Sequence, residues 1–193
     1  MPLGTHKATL FGVAGVSTGA DVVLLSTQTA SDDSVVEFTL PTAYKFVKFS
    51  FYNCLPATDG EDFKMNLSTD GGSTYEAKTS SFFAANHTEA DDNAAVQYES
   101  SDDLAQGTGD QTLSRNVGSA ADEGCSGELT VFNPTSTTYV KHWISRSSGY
   151  GGDRNWDNFG AGYANTTTAL NEIRFLYSSG NIAAGTIKMW GVK

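Results

Sequence analysis

Proline, cysteine and histidine are scarce in this chain: four, two and three among 193 residues. Few prolines leave strands free to pair inside sheets, because each proline removes a ladder donor. Two cysteines, Cys54 and Cys125, are too few for a disulfide scaffold. They read either as two buried thiols in a reducing compartment or as one bridge across a sandwich. His6, His87 and His142 are scattered, and no His-x-x-x-His or Cys-x-x-Cys pair offers metal-ligand spacing. His142, in a strand-like run beside Trp143, reads as a packed or half-exposed histidine. No metal and no cofactor is expected.

Positive charge is also scarce, with 12 Lys and Arg against 22 Asp and Glu for a formal charge of −10. Phosphate contacts need clustered Lys and Arg, so no nucleic-acid partner is expected. No apolar run approaches the roughly 20 residues that span a bilayer. The opening MPLGTHKATLFGVAGVSTGA lacks the basic and unbroken apolar regions of a secretory signal. Neither membrane insertion nor a leader is therefore expected. Signatures of catalysis are missing too. No Gly-x-Ser-x-Gly elbow occurs, and GYGGD around Gly151 lacks the lysine and strand-to-helix context of a phosphate loop. A carboxylate pair for glycoside hydrolysis exists only in three dimensions, and nothing in the order of the residues selects one. The residues point to a protein that is not an enzyme.

What the chain does have is alternation. Hydrophobic residues are 39% and aromatics 11%, enough to build a core, while 20 glycines suit many short strands joined by turns. The segment 22–26 (VVLLS) reads as a strand buried on both faces, and 35–40 (VVEFTL) as another. In 44–52 (YKFVKFSFY), Val47, Phe49 and Phe51 point one way while Phe46, Lys48, Ser50 and Tyr52 point the other. Strands are also predicted at 63–68, from near Ser73, at 128–133 and at 139–145. At the end, 173–192 alternates on both sides of SSGNIAAG, which predicts a closing antiparallel hairpin with Met189, Trp190 and Val192 packed into the core. No amphipathic helix and no internal repeat is visible. Eight to ten strands at this spacing predict a single all-β domain, an antiparallel β-sandwich of jelly-roll type, over 21–193.

Three stretches fall outside that pattern. Residues 1–20 form a Gly-rich N-terminal segment, read either as a frayed terminus or as an arm that anchors on a partner through Leu10, Phe11, Val13 and Val16. Residues 80–121 are acidic and polar and predict a long connection with one or two short strands near 94–99. Residues 146–164 predict a surface loop rich in glycine and aromatics. Arg146, Tyr150, Arg154, Trp156 and Phe159 in it are candidates for an interface or for a glycan contact, since aromatics and Arg are enriched at interface cores and rings stack on sugars.

The segment STDGGSTY over 68–75 matches Ser-x-Asp-x-Gly-x-Thr-aromatic and resembles the Asp-box turn of sialidases and related β-proteins. Ser68, Asp70, Gly72 and Tyr75 are therefore expected to build a structural hairpin turn. A calcium loop is the alternative, but the spacing of Asp59, Glu61, Asp62 and Asp70 fails the EF-hand pattern.

Together with LSTQTAS at 25–31, PATD at 56–59, GELTVFNP at 127–134 and SSGNIAAGTIKMWG at 178–191, this layout resembles a family of small structural or uncharacterised virion proteins of tailed bacteriophages, often marine ones. The resemblance spans nearly the whole chain and rests on turns and strands. It implies a β-sandwich exposed on a virus particle. The first placement is a capsid decoration (cement) protein, a homotrimer bound to the major capsid protein. The alternative is a tail or fibre component, or a carbohydrate-binding module, touching a host surface glycan. The resemblance supplies no catalytic residues.

Overall fold

The computed structural model describes residues 22–193, and all regular structure in it is strand. The first four strands are β1 (Val22–Ala30), β2 (Val36–Thr39), β3 (Phe46–Pro56) and β4 (Glu61–Ser68). Next come β5 (Lys78–Thr88), β6 (Ala94–Tyr98), β7 (Ala105–Gly107), β8 (Gln111–Val117) and β9 (Gly124–Phe132). The chain ends with β10 (Lys141–Tyr150), β11 (Arg154–Ala164), β12 (Glu172–Tyr177) and β13 (Ile182–Val192). A nine-stranded sheet runs β1-β13-β3-β9-β10-β11-β5-β6, with β7 also on β5, and a four-stranded sheet runs β2-β12-β4-β8. All pairings are antiparallel.

Eight of these strands form a jelly roll. The set β1-β13-β3-β9 lies in one sheet and β2-β12-β4-β8 in the other, and the links β1–β2, β2–β3, β3–β4, β8–β9 and β12–β13 each cross between sheets. This is the doubled Greek key of that architecture. The remaining strands widen the large sheet beyond β9. The hairpin β10–β11 is inserted between β9 and β12, and β5–β7 between β4 and β8.

Alternation in the sequence dictates which side chains meet between the sheets. Val47, Phe49 and Phe51 of β3 face inward and are fully buried, as their spacing predicts. Phe63, Met65 and Leu67 of β4 do the same from the small sheet. Phe175 of β12 joins the two, with ring centroids 5.3 Å from Phe49, 5.9 Å from Phe63 and 6.1 Å from Phe38. Each such ring, once fully buried, contributes roughly 1.5–3 kcal/mol of transfer free energy. Cys54 and Cys125 belong to the same core and carry free thiols.

Several expectations are corrected. The closing segment is not a hairpin, because β12 and β13 lie in opposite sheets and residues 178–181 arch between them. Met189 is buried, whereas Trp190 and Val192 stand on the opposite face and are only half-buried. The segment at 22–26 is not buried on both faces. It lies in an edge strand, with Val22 and Leu24 about half exposed. Residues 80–121 hold most of β5 and all of β6, β7 and β8, more strand than expected. Alternation there is masked by Ser, Ala and Asn on both faces of β5. That strand begins at Lys78 rather than near Ser73, since the preceding turn extends through Glu76, whose amide donates to the Leu67 carbonyl (2.9 Å). The predicted loop 146–164 is mainly the hairpin β10–β11, with only 151–153 between the strands. Its glycines fit a packing need: a Cβ on Gly160 or Gly162 would lie 3.2 or 2.8 Å from the Trp143 ring, and one on Gly162 only 2.5 Å from the Thr79 carbonyl. Residues 1–20, with Leu10, Phe11, Val13 and Val16, lie outside the described residues.

Candidate functional site

Over β13, β3 and β9 the inner face of the large sheet is covered by the small sheet, and β8 reaches β10 and β11, but no described strand lies on its outer face. Register fixes what that face shows. One row crosses seven strands as Lys188, Ser50, Glu128, Arg146, Phe159, Phe83 and Tyr98, each the register partner of the next. The neighbouring row reads Trp190, Lys48, Thr130, Ile144, Ala161 and Ser81. Period-two alternation places all of these on one side.

The half of the face over β10, β11, β5 and β6 carries a cluster of exposed apolar side chains. Ile144 is 52% exposed, Phe83 42%, Tyr98 55% and Val96 76%. Phe83 and Phe159 stack with ring centroids 4.8 Å apart and planes at 6°. The Arg146 guanidinium lies 4.8 Å from the Phe159 centroid. Because β11 runs between β10 and β5, Arg146 and Phe83 cover opposite faces of the Phe159 ring. A concavity of about 390 Å³ opens here, bordered by Ser81, Phe83, Glu128, Ile144, Arg146 and Phe159.

Two ion pairs lie within this face. Arg146 makes a bidentate contact with Asp157, Nε to Oδ1 at 3.1 Å and Nη2 to Oδ2 at 2.8 Å, which raises the guanidinium pKa above its ordinary value. Lys48 pairs with Glu128 at 2.7 Å. A chain of formal charge −10 thus presents a sheet face whose ion pairs are internally neutralised.

The five candidates from the sequence do not form one cluster. Arg146 and Phe159 meet on the outer face, and Tyr150 stands on that side at the end of β10. Trp156 points inward and is 6% exposed, with the Arg115 and Arg154 guanidiniums 4.9 and 5.6 Å from its ring centroid. Its position opposite Asn86 on β5 takes it off the outer surface. Sequence reading missed Phe83, Val96, Tyr98, Ile144 and Asp157. The useful signal was apolar residues at the polar phase of an alternating run, visible for Ile144 and obscured for Phe83 because Phe82 beside it is a core residue.

The turn at 68–75 closes on its own hydrogen bonds, but it is not the expected hairpin tip: β4 pairs with β12 and β8 in the small sheet while β5 lies in the large one, so the turn links the two sheets. Ser68 Oγ donates to Asp70 Oδ1 (2.8 Å) and accepts from the Asp70 and Gly72 amides (3.1 and 3.0 Å). Asp70 also accepts from the Thr74 amide (2.8 Å) and hydroxyl (2.7 Å). These donors, the Thr74 amide first, hold the Asp70 carboxyl below its ordinary pKa. Gly71 and Gly72 supply the positive φ that the tip requires, 72° and 80°. Tyr75 packs under the Arg174 guanidinium, 3.8 Å from ring centroid to carbon. The carboxylate is occupied by the turn's own donors, and among the described residues no group of three His, Cys, Asp or Glu is arranged to hold a metal.

Behind this turn the buried Lys78 donates to Asn66 Oδ1 and to the Glu76 carbonyl (2.8 Å). Burial lowers its pKa to about 8, against the opposing pull of Asp110 and Glu76.

The fold and this face define a jelly-roll sandwich with an uncovered, partly aromatic sheet surface. No family model matches the chain, and no curated protein does. Among solved structures it is matched to the infectious bursal disease virus VP2 subviral particle, at 11% identity and a TM-score of 0.16. The match covers 89% of this chain and 40% of that one, so the chain spans less than half the length of its neighbour. A superposition this poor carries no weight for fold or role.

Proposed function

We propose that this protein is a non-enzymatic virion structural protein of a tailed bacteriophage, a capsid decoration protein that docks through the outer face of its large sheet. The observation that carries the reading is the exposed apolar cluster of Ile144, Phe83, Val96 and Tyr98 on a face whose ion pairs are internally neutralised. Exposed apolar clusters rimmed by polar groups mark interaction sites, and pre-paired charges lower the cost of covering them. The motif resemblance along the chain supports the phage assignment. Jelly rolls serve viral capsids but also lectins and cupins, so topology alone does not decide.

The tail or glycan-binding alternative is less well served by the geometry. A sugar ring needs a free aromatic face. Phe159 has Phe83 on one face and Arg146 on the other, and Trp156 points into the protein. Of the rings on this face Tyr98 remains 55% exposed, beside the aliphatic Ile144 and Val96, a mixed surface that suits a protein partner.

The test is to purify particles from a phage deleted for this gene and add the protein back. Wild type should co-sediment at a saturating copy number, and Phe83→Glu should reduce occupancy at least tenfold while keeping its β-sheet spectrum. Equal occupancy of Phe83→Glu, or no binding of wild type, would overturn the proposal.

A further inference from the structure

The chain has two cysteines, and the fold makes them register partners: Cys54 of β3 lies opposite Cys125 of β9. Their Cα atoms belong to adjacent antiparallel strands, where partners stand about 4.5–5.5 Å apart, within the span a disulfide bridges. Both side chains turn into the core and are 0% and 2% exposed. Both also meet Tyr177, whose hydroxyl donates to the Cys54 carbonyl at 2.8 Å and lies 3.7 Å from Cys125 Sγ. The thiols are free.

The backbone around them is irregular and closely packed. A Cβ on Gly185 would lie 2.7 Å from Cys54 Cα and 2.9 Å from its Sγ. The register of β3 on β9 shifts between Phe51 and Cys54, and Asn53 there has φ 52°. A surface concavity of about 230 Å³ lies directly outside, lined by Asn53, Gly124, Ser126 and Gly149. These include the chain neighbours of both cysteines, so the pair lies close beneath the surface.

We infer that Cys54 and Cys125 are a redox couple, a dithiol that a small-molecule disulfide converts into an intramolecular cystine joining β3 to β9. One cysteine, as thiolate, attacks the reagent RSSR, forming a mixed disulfide and releasing RS⁻. The second gives up its proton and displaces the other RS⁻. In sum, one dithiol and one RSSR give one protein disulfide and two RSH. Burial pushes the thiols up, Cys125 to about 12, so few thiolates are present in the closed state and attack waits on opening of the irregular β3–β9 segment. The exchange is therefore slow but directed, since the first mixed disulfide has its resolving thiol on the adjacent strand.

The experiment incubates the folded, reduced protein with equal concentrations of reduced and oxidised glutathione at pH 8 and quenches with iodoacetamide in denaturant. Intact mass should show the loss of two hydrogens and no alkylation in most molecules. The circular dichroism should stay unchanged, and the thermal midpoint should rise by about 5–15 °C. Cys54→Ser and Cys125→Ser should each lose the product. Two alkylatable thiols persisting in wild type, glutathione adducts accumulating in place of the cystine, or a cystine that forms with loss of the native spectrum would each overturn the inference. Because no particle enters this experiment, it is independent of the decoration reading.

Discussion

Phe83 of β5 and Phe159 of β11 stand opposite one another with rings stacked at 4.8 Å, and the guanidinium of Arg146 covers the far face of Phe159. The stack is pre-assembled on strands rather than on a loop, so its geometry does not depend on a partner. A Phe83→Ala, Phe159→Ala double-mutant cycle in urea should return a coupling of about 0.5–1.5 kcal/mol, the usual worth of an aromatic pair beyond its buried area. A coupling near zero would mean that the two rings ignore each other in solution.

Lys78 predicts an alkaline rise in stability. Its folded pKa, about 8, lies below the ordinary lysine value because burial disfavours the ammonium. Below pH 8 both folded and unfolded chains hold the proton, and the cost of burying the charge is fully present. Between pH 8 and 10 the folded chain gives up the proton first, so the unfolded state binds more protons and stability rises with pH. The gain should be on the order of 2 kcal/mol, read from urea midpoints at pH 7.5, 9 and 10. Lys78→Met should flatten the profile. An unchanged slope in that variant would assign the effect elsewhere.

Asp70 predicts the opposite limb. Its folded pKa is depressed by the Thr74 amide and hydroxyl and by Ser68. Its contribution is therefore present above the ordinary carboxylate value, about 4, and is lost as pH falls through the lower folded value. Asp70→Ala should lower the thermal midpoint at pH 7 and weaken its dependence on pH below 4. Asp70→Asn, which keeps an acceptor for the Thr74 amide, should recover part of the loss. Identical midpoints for wild type and Asp70→Ala would remove the turn from the stability of the fold.

What the sequence made legible was whatever period two and local turn chemistry encode. Val47, Phe49 and Phe51 declared the inner face of β3, and STDGGSTY declared its own turn. Illegible were choices made by tertiary pairing. The flanks of SSGNIAAG look like a hairpin, yet Ile173 pairs with Leu67 and Phe38 while Ile187 pairs with Phe51 and Gln28. Alternation states that a strand exists without stating which sheet receives it. The hairpin β10–β11 escaped notice because Gly160 and Gly162, which usually punctuate loops, sit beside the Trp143 ring. The outer-face cluster escaped because Phe83, Val96 and Tyr98 fall in a stretch whose polar composition hid its strands.

Core and face can be told apart by one pair of substitutions. Phe175 is fully buried among Phe38, Phe49 and Phe63, at the point where β2, β3, β4 and β12 meet. Phe175→Ala removes a ring from between both sheets and should cost about 3–5 kcal/mol, the lost transfer energy plus the cavity left behind. Phe175→Leu, which keeps much of the volume, should cost less. Ile144 is half exposed on the face that no described strand covers. Ile144→Ser should leave the isolated chain within about 0.5 kcal/mol of wild type, as surface changes usually do. A residue retained for stability would show its cost in the urea midpoint. If Ile144→Ser leaves that midpoint in place while weakening particle binding, the apolar character of the outer face serves a partner. A large loss of stability from Ile144→Ser would show that β10 depends on Ile144 in the isolated chain, and the docking reading would lose its main support.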